Sequence, residues 1–201
     1  MTTNALVASS WREYAPAVQT ATVILDPEMP GVSALVSERA RLGVDRHDEL
    51  WDGLLHMSPW PNPRHGAVDA SVMLLIGPRG RRSGLVPVTG FNVGDLSHNY
   101  RAPDGGLLRT ADLAGSDTSV DSAALVWEIV SPGDESWLKF DFYAAHNVAE
   151  LVIVDPRTRE VHWFRLVAGR YERTDRSLLV DLSTSELAAQ IDWPPLAQLE
   201  R

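Results

Sequence analysis

Two short apolar runs, ALVWEIV at 124–130 and ELVIV at 150–154, flank a segment at 136–146 whose apolar residues recur at helical spacing. Runs that are apolar on both faces belong inside a sheet covered on both sides. Strand, helix and strand over about thirty residues make a crossover between parallel strands, almost always right-handed. The chain is thereby committed to an α/β or α+β class, a mixed sheet with helices packed on it. Within the first run, alternation places Ala124, Val126, Glu128 and Val130 on one face and Leu125, Trp127 and Ile129 on the other. Glu128 breaks the apolar pattern. A carboxylate there faces a desolvation cost of several kcal/mol unless a cation or strong donors meet it. It is either a Glu paired with an arginine or left on an edge strand, or part of a site. The helix that returns over the strand carries Lys139, Phe142, Tyr143 and His146 along one stripe, so Lys139 can reach toward Glu128 with its stem lying across the apolar face.

The remaining chain supplies extra strands and helices around this unit. Residues 1–19 read as a loose N-terminal segment and 20–201 as a single domain. A short strand at 21–25 is followed by an amphipathic helix at 32–41, stopped by Gly43, and by a hairpin at 49–57 turning at Asp52-Gly53. Pro59, Pro61 and Pro63 argue against regular structure, and a helix at 67–76 ends at Gly77-Pro78, leaving Arg79-Gly80-Arg81-Arg82 as a basic loop. A strand at 85–88 leads into 91–100, polar and irregular. After the crossover, 161–167 alternates as a more exposed strand, Gly169-Arg170 suits a hairpin turn, and Ser183 and Glu186 have capping-box spacing for a short helix.

Composition narrows the chemistry. There is no cysteine among the 201 residues, so disulfides, thiolate zinc sites and cysteine nucleophiles are excluded. A metal would rest on oxygen or imidazole ligands, and oxygen-rich sets favour magnesium, manganese or calcium over zinc. No pair among the six histidines has ligand-like spacing with a nearby third ligand, which disfavours a zinc hydrolase. The net charge of −9 counts against tight non-specific nucleic-acid binding, although a local basic patch can coexist with it. No apolar run approaches bilayer length, so no membrane partner is expected and the chain reads as soluble and cytoplasmic. Asp104 lies between Pro103 and Gly105-Gly106, with its backbone constrained on one side and free on the other. That suits a carboxylate aimed at a ligand, and equally an ordinary turn.

Taken in order, HDELWDGLLHM (47–57), a proline-rich loop ending in His65, YRAPDGG (100–106), LVWEIVSPGDES (125–136) and LKFDFYAAHNVAELVIVDP (138–156) carry a family resemblance. The chain resembles the Uma2 (DUF820) restriction-endonuclease group of the PD-(D/E)xK nuclease superfamily. The resemblance implies a restriction-endonuclease-like core. Asp104 matches the PD aspartate, Glu128 the second acidic residue, and Glu49 the acidic residue of the first helix-strand region. The superfamily pattern wants lysine two residues after the second acid, where Val130 stands. In this family the lysine comes instead from the following helix, which is Lys139.

The activity so implied is metal-dependent endonucleolytic hydrolysis of DNA, with magnesium or manganese held by Asp104, Glu128 and the carbonyl of Ile129. Lys139 would orient the attacking water, and Glu49 would serve a second ion or its water. His65 is either a phosphate-positioning or a structural histidine, and Tyr143 either supports the site or packs against the sheet. Arg81 and Arg82 are either DNA-backbone contacts or part of a solvated loop. The alternative is a nuclease fold kept as a binding or assembly module with weak or no cleavage. Cutting two strands calls for two sites, so a homodimer is expected.

Overall fold

The computed structural model describes residues 23–58, 60–114, 118–131, 133 and 135–195, so the expected loose segment at 1–19 lies outside the described residues. Along the chain, β1 (Val23–Leu25) precedes helix α1 (Val32–Leu42), the hairpin β2 (Glu49–Trp51) and β3 (Leu54–Met57), and the long helix α2 (Pro63–Arg82). Next come β4 (Val86–Val88), β5 (Asn92–Asp95), β6 (Asn99–Arg101), β7 (Gly105–Leu108), β8 (Ser119–Val120) and β9 (Leu125–Ile129). A 3-10 turn (Ser136–Lys139) runs directly into α3 (Phe140–Ala145), followed by β10 (Glu150–Asp155), β11 (Glu160–Val167), β12 (Arg170–Thr174) and α4 (Thr184–Gln190).

The crossover forms as its apolar pattern requires. β9 and β10 pair in parallel, with Leu125 opposite Glu150 and Ile129 opposite Val154. They lie at the centre of a six-stranded sheet of order β12-β11-β10-β9-β7-β4. Alternation along the two strands sends Leu125, Trp127, Ile129, Val152 and Val154 into a core with Val68, Val72 and Ile76 of α2 and Leu187 of α4. Val126, Val130, Leu151 and Ile153 point the other way, into a core with Phe140 and Tyr143 of α3 and with Phe91 and Val93. A second six-stranded sheet, β1-β3-β2-β6-β5-β8, lies beside the first and carries the β2–β3 hairpin. Asp52 and Gly53 turn that hairpin at φ 50° and 87°, the left-handed pair a two-residue hairpin needs.

Several elements differ from the sequence-based expectation, each for a local reason. Pro63 opens α2 rather than forbidding it, because the first helical position needs no N–H donor. Asn62 caps this end, its side-chain oxygen accepting from Arg64 N at 3.0 Å and His65 N at 3.1 Å. The helix also continues through Gly77-Pro78, so 79–82 is its last turn and not a loop. An interior proline forfeits one helix hydrogen bond. The buried face that includes Val68, Val72, Ile76, Gly77 and Gly80 holds the helix together across that gap. Residues expected to be irregular, 91–100, instead form the β5–β6 hairpin, whose bend is closed by Asp95 accepting from Ser97 N at 2.9 Å and Ser97 Oγ at 2.7 Å. The strand expected to be more exposed, β11, buries Val161, His162, Trp163 and Phe164. Its turn into β12 is Ala168-Gly169, one residue earlier than expected. The capping box at Ser183 and Glu186 starts α4 as expected.

The glycine pair after Asp104 serves close packing rather than backbone freedom. Both residues lie inside β7, and a Cβ on Gly105 would stand 2.1 Å from Trp127 Cζ2, while one on Gly106 would stand 2.7 Å from the carbonyl oxygen of Leu125. Trp127 is itself fully buried and donates through Nε1 to Asp69 Oδ1 at 2.8 Å. Replacing Gly105 with alanine should therefore cost about 1–3 kcal/mol in urea denaturation. Gly66→Ala, in α2 where a Cβ meets nothing within 4 Å, should leave stability unchanged or raise it by about 0.5–1 kcal/mol. A Gly105→Ala variant as stable as the parent would show that Trp127 does not rest on this strand.

Candidate active site

Glu128 stands one residue before the end of β9 and lines the cleft. Lys139 reaches it from the crossover, with Nζ 3.1 Å from both Oε1 and Oε2. Tyr143, one helical turn beyond Lys139, donates its O–H to Glu128 Oε1 at 2.5 Å. The same ammonium lies 2.8 Å from Oε1 of Glu49 on β2. Glu49 in turn accepts from Ala102 N at 2.8 Å and, through its other oxygen, from Trp51 Nε1 at 2.7 Å. Glu49, Glu128 and Lys139 are 4%, 3% and 8% exposed, so this is a buried charge cluster of two carboxylates on one ammonium. Burial pushes the Glu128 carboxyl up, with the Lys139 charge pulling against it and the carboxylates of Asp104 and Glu49 adding to the rise. Each hydrogen bond that Glu128 makes here is donated to it, which is the arrangement of a carboxylate and not of an acid. For Lys139 burial alone would lower the pKa, but Glu128 and Glu49 outweigh it and hold the ammonium charged.

Asp104 comes to Glu128 through strand pairing. β7 runs antiparallel to β9 with Gly105 opposite Trp127, and one step further along that register sets Asp104 opposite Glu128. Asp104 Oδ2 accepts from the backbone N of Ile129 at 2.7 Å, and Oδ1 pairs with His65 Nε2 at 2.8 Å. The other ring nitrogen of His65 is 3.1 Å from Ser131 Oγ, so the imidazole bridges the end of β7 to the loop after β9. His65 owes its position to the capped first turn of α2, the element the prolines had hidden. Asp104, Glu128, Ile129, Glu49, Lys139 and His65 all line one cleft of about 360 Å³.

Arg81 and Arg82 do not join them. Both are exposed in the last turn of α2, and they follow His65 by about 25 Å along the helix at 1.5 Å per residue. Tyr143 is fully buried behind Glu128 and does not line the cleft. Asp134 lies outside the described residues. Glu135, at the N-terminal end of the 3-10 turn, lines the cleft wall and pairs with His56 Nδ1 at 2.8 Å. That pair was not legible in the sequence, though the hairpin register, which sets His56 beside Glu49, is the signal that could have found it. His56 stacks on Trp51 at 4.4 Å, and the Arg101 guanidinium lies 4.0 Å over Trp51 and 4.1 Å over Phe142. This column fixes the indole that donates to Glu49.

The cluster balances only while its cation is present. Lys139→Met leaves two buried carboxylates facing each other, and removing one partner of a buried pair costs about 3–5 kcal/mol. Without the ammonium the Glu128 carboxyl, already pushed up by burial, binds its proton still more tightly in the folded than in the unfolded chain. The deficit should therefore be larger at neutral pH than at acid pH, shrinking as pH falls toward the ordinary carboxylate range. Urea denaturation of the parent and the variant at pH 7 and pH 4.5 measures this, and a deficit that does not narrow at the lower pH would count against it.

The fold and these residues can be set beside known proteins. A family model described as "Putative restriction endonuclease", Uma2, matches residues 38–196. Among solved structures the chain is similar to "a putative nuclease belonging to DUF820 from Anabaena variabilis ATCC 29413", with TM-score 0.57 and 14% identity over 72% of this chain and 90% of that one. At that identity the likeness speaks for the fold. A chain of a "DrdV-DNA complex" aligns at TM-score 0.37 and 18% identity over 65% of this chain and 12% of that one, too weakly to carry an argument. A search of curated proteins gives no match. With most of its length inside the family model, and with the mixed sheet and crossover of a restriction-endonuclease-like fold, this chain belongs to the Uma2 family.

Proposed function

We propose that the protein is a metal-dependent endonuclease that hydrolyses DNA phosphodiester bonds at the cleft between β7 and β9. The observation that carries this reading is the convergence of Asp104 and Glu128 on neighbouring strands with Lys139 held against Glu128. The donor set suits a hard divalent cation. It is made entirely of oxygen, from Asp104, Glu128 and the carbonyl of Ile129, and both oxygens of Asp104 and Oε2 of Glu128 retain lone-pair capacity beyond their protein hydrogen bonds. Among the described residues no three Asp, Glu or His side chains form a closed cation cage. Magnesium commonly takes one or two carboxylates and leaves its remaining positions to water and substrate phosphate. When bound, magnesium or manganese would supply Lewis-acid charge at the scissile phosphate and favour deprotonation of the attacking water.

The chain's own residues have definable parts in such a reaction. His65 and the Ile129 N–H hold Asp104 in one orientation, while Tyr143 and Lys139 do the same for Glu128. Lys139 also offers the positive charge closest to the acidic pair, placed to orient water and to offset negative charge developing on the phosphate. Glu49 anchors that ammonium and is the candidate for a second ion. A homodimer would bring two such clefts to the two strands. A second reading, a nuclease fold retained as a binding or assembly module, draws support from the net charge of −9 and from the ammonium's engagement with two carboxylates.

Incubation of plasmid and of single-stranded DNA with magnesium or manganese separates these readings. Cleavage should require the metal, stop on chelation, and fall by about a hundredfold or more in Asp104→Ala and Glu128→Ala, the scale expected when a group stabilising the transition state is removed. Manganese titration by calorimetry should show binding lost in Glu128→Ala. Absence of cleavage with either metal, or cleavage unchanged in both variants, sinks the enzyme reading.

A further inference from the structure

At the rim of the cleft stands an aromatic residue that the hydrolytic chemistry leaves without a role. Trp60 is 63% exposed. Every other described tryptophan, tyrosine and phenylalanine is buried or half-buried, so this ring is singular among the described residues. It lines the same cleft as Asp104 and Glu128. Its aromatic contact is with His47, at 5.2 Å between centroids and 81° between planes, and such an edge-to-face contact occupies at most one face of the indole. The rest of the ring system meets solvent at the mouth of a site whose acidic floor, Glu128, is 3% exposed.

The charges of the cleft decide what could use that ring. Lys139 is the lone lysine or arginine among the described residues that line the cleft, and its ammonium is held by Glu49 and Glu128. His47 is favoured in its neutral form by burial. Neutralisation of phosphates within the cleft therefore supplies little of the affinity that ordinary nucleic-acid binding draws from lysine and arginine. Stacking of a base on an aromatic face needs no cation and tolerates any sequence. The cleft, at about 360 Å³, has the scale of a small-ligand site. Bases inside a duplex could reach Trp60 only by leaving their stack, whereas an unpaired strand presents them without that cost.

We infer that Trp60 is a base-stacking subsite and that the strand entering this cleft is single-stranded. The inference rests on the nuclease reading for its substrate class, DNA, and goes beyond it in assigning the strandedness and the residue that recognises it. The base next to the scissile phosphate lies on the indole, and the phosphate hangs past the rim toward Asp104 and Glu128.

Fluorescence anisotropy of labelled oligonucleotides tests this in EDTA, where hydrolysis does not intervene. The probes are a short single strand, the same strand with abasic sugars in place of its bases, and the matching duplex. The intact strand should bind about tenfold more tightly than the abasic strand, which keeps every phosphate, and more tightly than the duplex. Trp60→Ala should abolish the difference between intact and abasic strands, and Trp60→Phe should restore most of it. Equal binding of the two strands, tighter binding of the duplex, no binding of any probe, or an unchanged preference in Trp60→Ala would each overturn the inference. Because no cleavage is read, these outcomes are independent of whether Asp104→Ala abolishes hydrolysis. A protein that cuts plasmid but ignores the bases retains the nuclease reading and loses this one, and the converse result separates them the other way.

Discussion

The ammonium of Lys139 sits between two carboxylates that come from different sheets, Glu49 from the sheet of the β2–β3 hairpin and Glu128 from the central sheet. Both acids are almost fully buried, and neither would be tolerable there alone. The cation therefore joins the two sheets electrostatically at the place where the cleft opens. It also explains why the crossover begins with a 3-10 turn that carries Lys139 before α3 starts. The side chain leaves the crossover next to the strand the chain has just left, and Tyr143 follows one turn later on the same carboxylate.

Asp104 is held by a different device. Its place beside Glu128 follows from the antiparallel register of β7 on β9, and that pairing is close because Gly105 and Gly106 let Trp127 and the Leu125 backbone approach. The indole reaches across to Asp69 of α2, and the same helix presents His65 to Asp104 from four residues earlier. A single helix therefore both packs the apolar side of the central sheet and orients one half of the acidic pair. The geometry shows what each acid leans on.

How much of this was legible follows from the range of the forces involved. The βαβ unit, the buried faces of β9 and the odd carboxylate within it could be read because alternation is local and repeats. Glu128 stood out because an apolar strand cannot hide a charge. Pro63 and Pro78 look like punctuation in the sequence and hide the length of α2, yet the first turn has no use for the missing N–H and packing on the buried face outweighs the interior gap. The β5–β6 hairpin escaped because Gly94, at φ 105° in mid-strand, and its polar neighbours interrupt any alternation.

The sequence by itself determined the class of fold, the central strands and their faces, the cation-seeking character of Glu128 and, through family motifs, the candidacy of Asp104, Glu49 and Lys139. Only the tertiary structure decided who meets whom. It set His65 on Asp104 across 39 residues and His56 on Glu135 across 79, and it sent Arg81 and Arg82 to the far end of their helix. It also left Trp60 as the exposed ring at the cleft's mouth. Hydrophobic periodicity is written into neighbouring residues, whereas a hydrogen bond between distant polar side chains depends on register and helix length summed over the whole fold, and no short stretch of sequence encodes that sum.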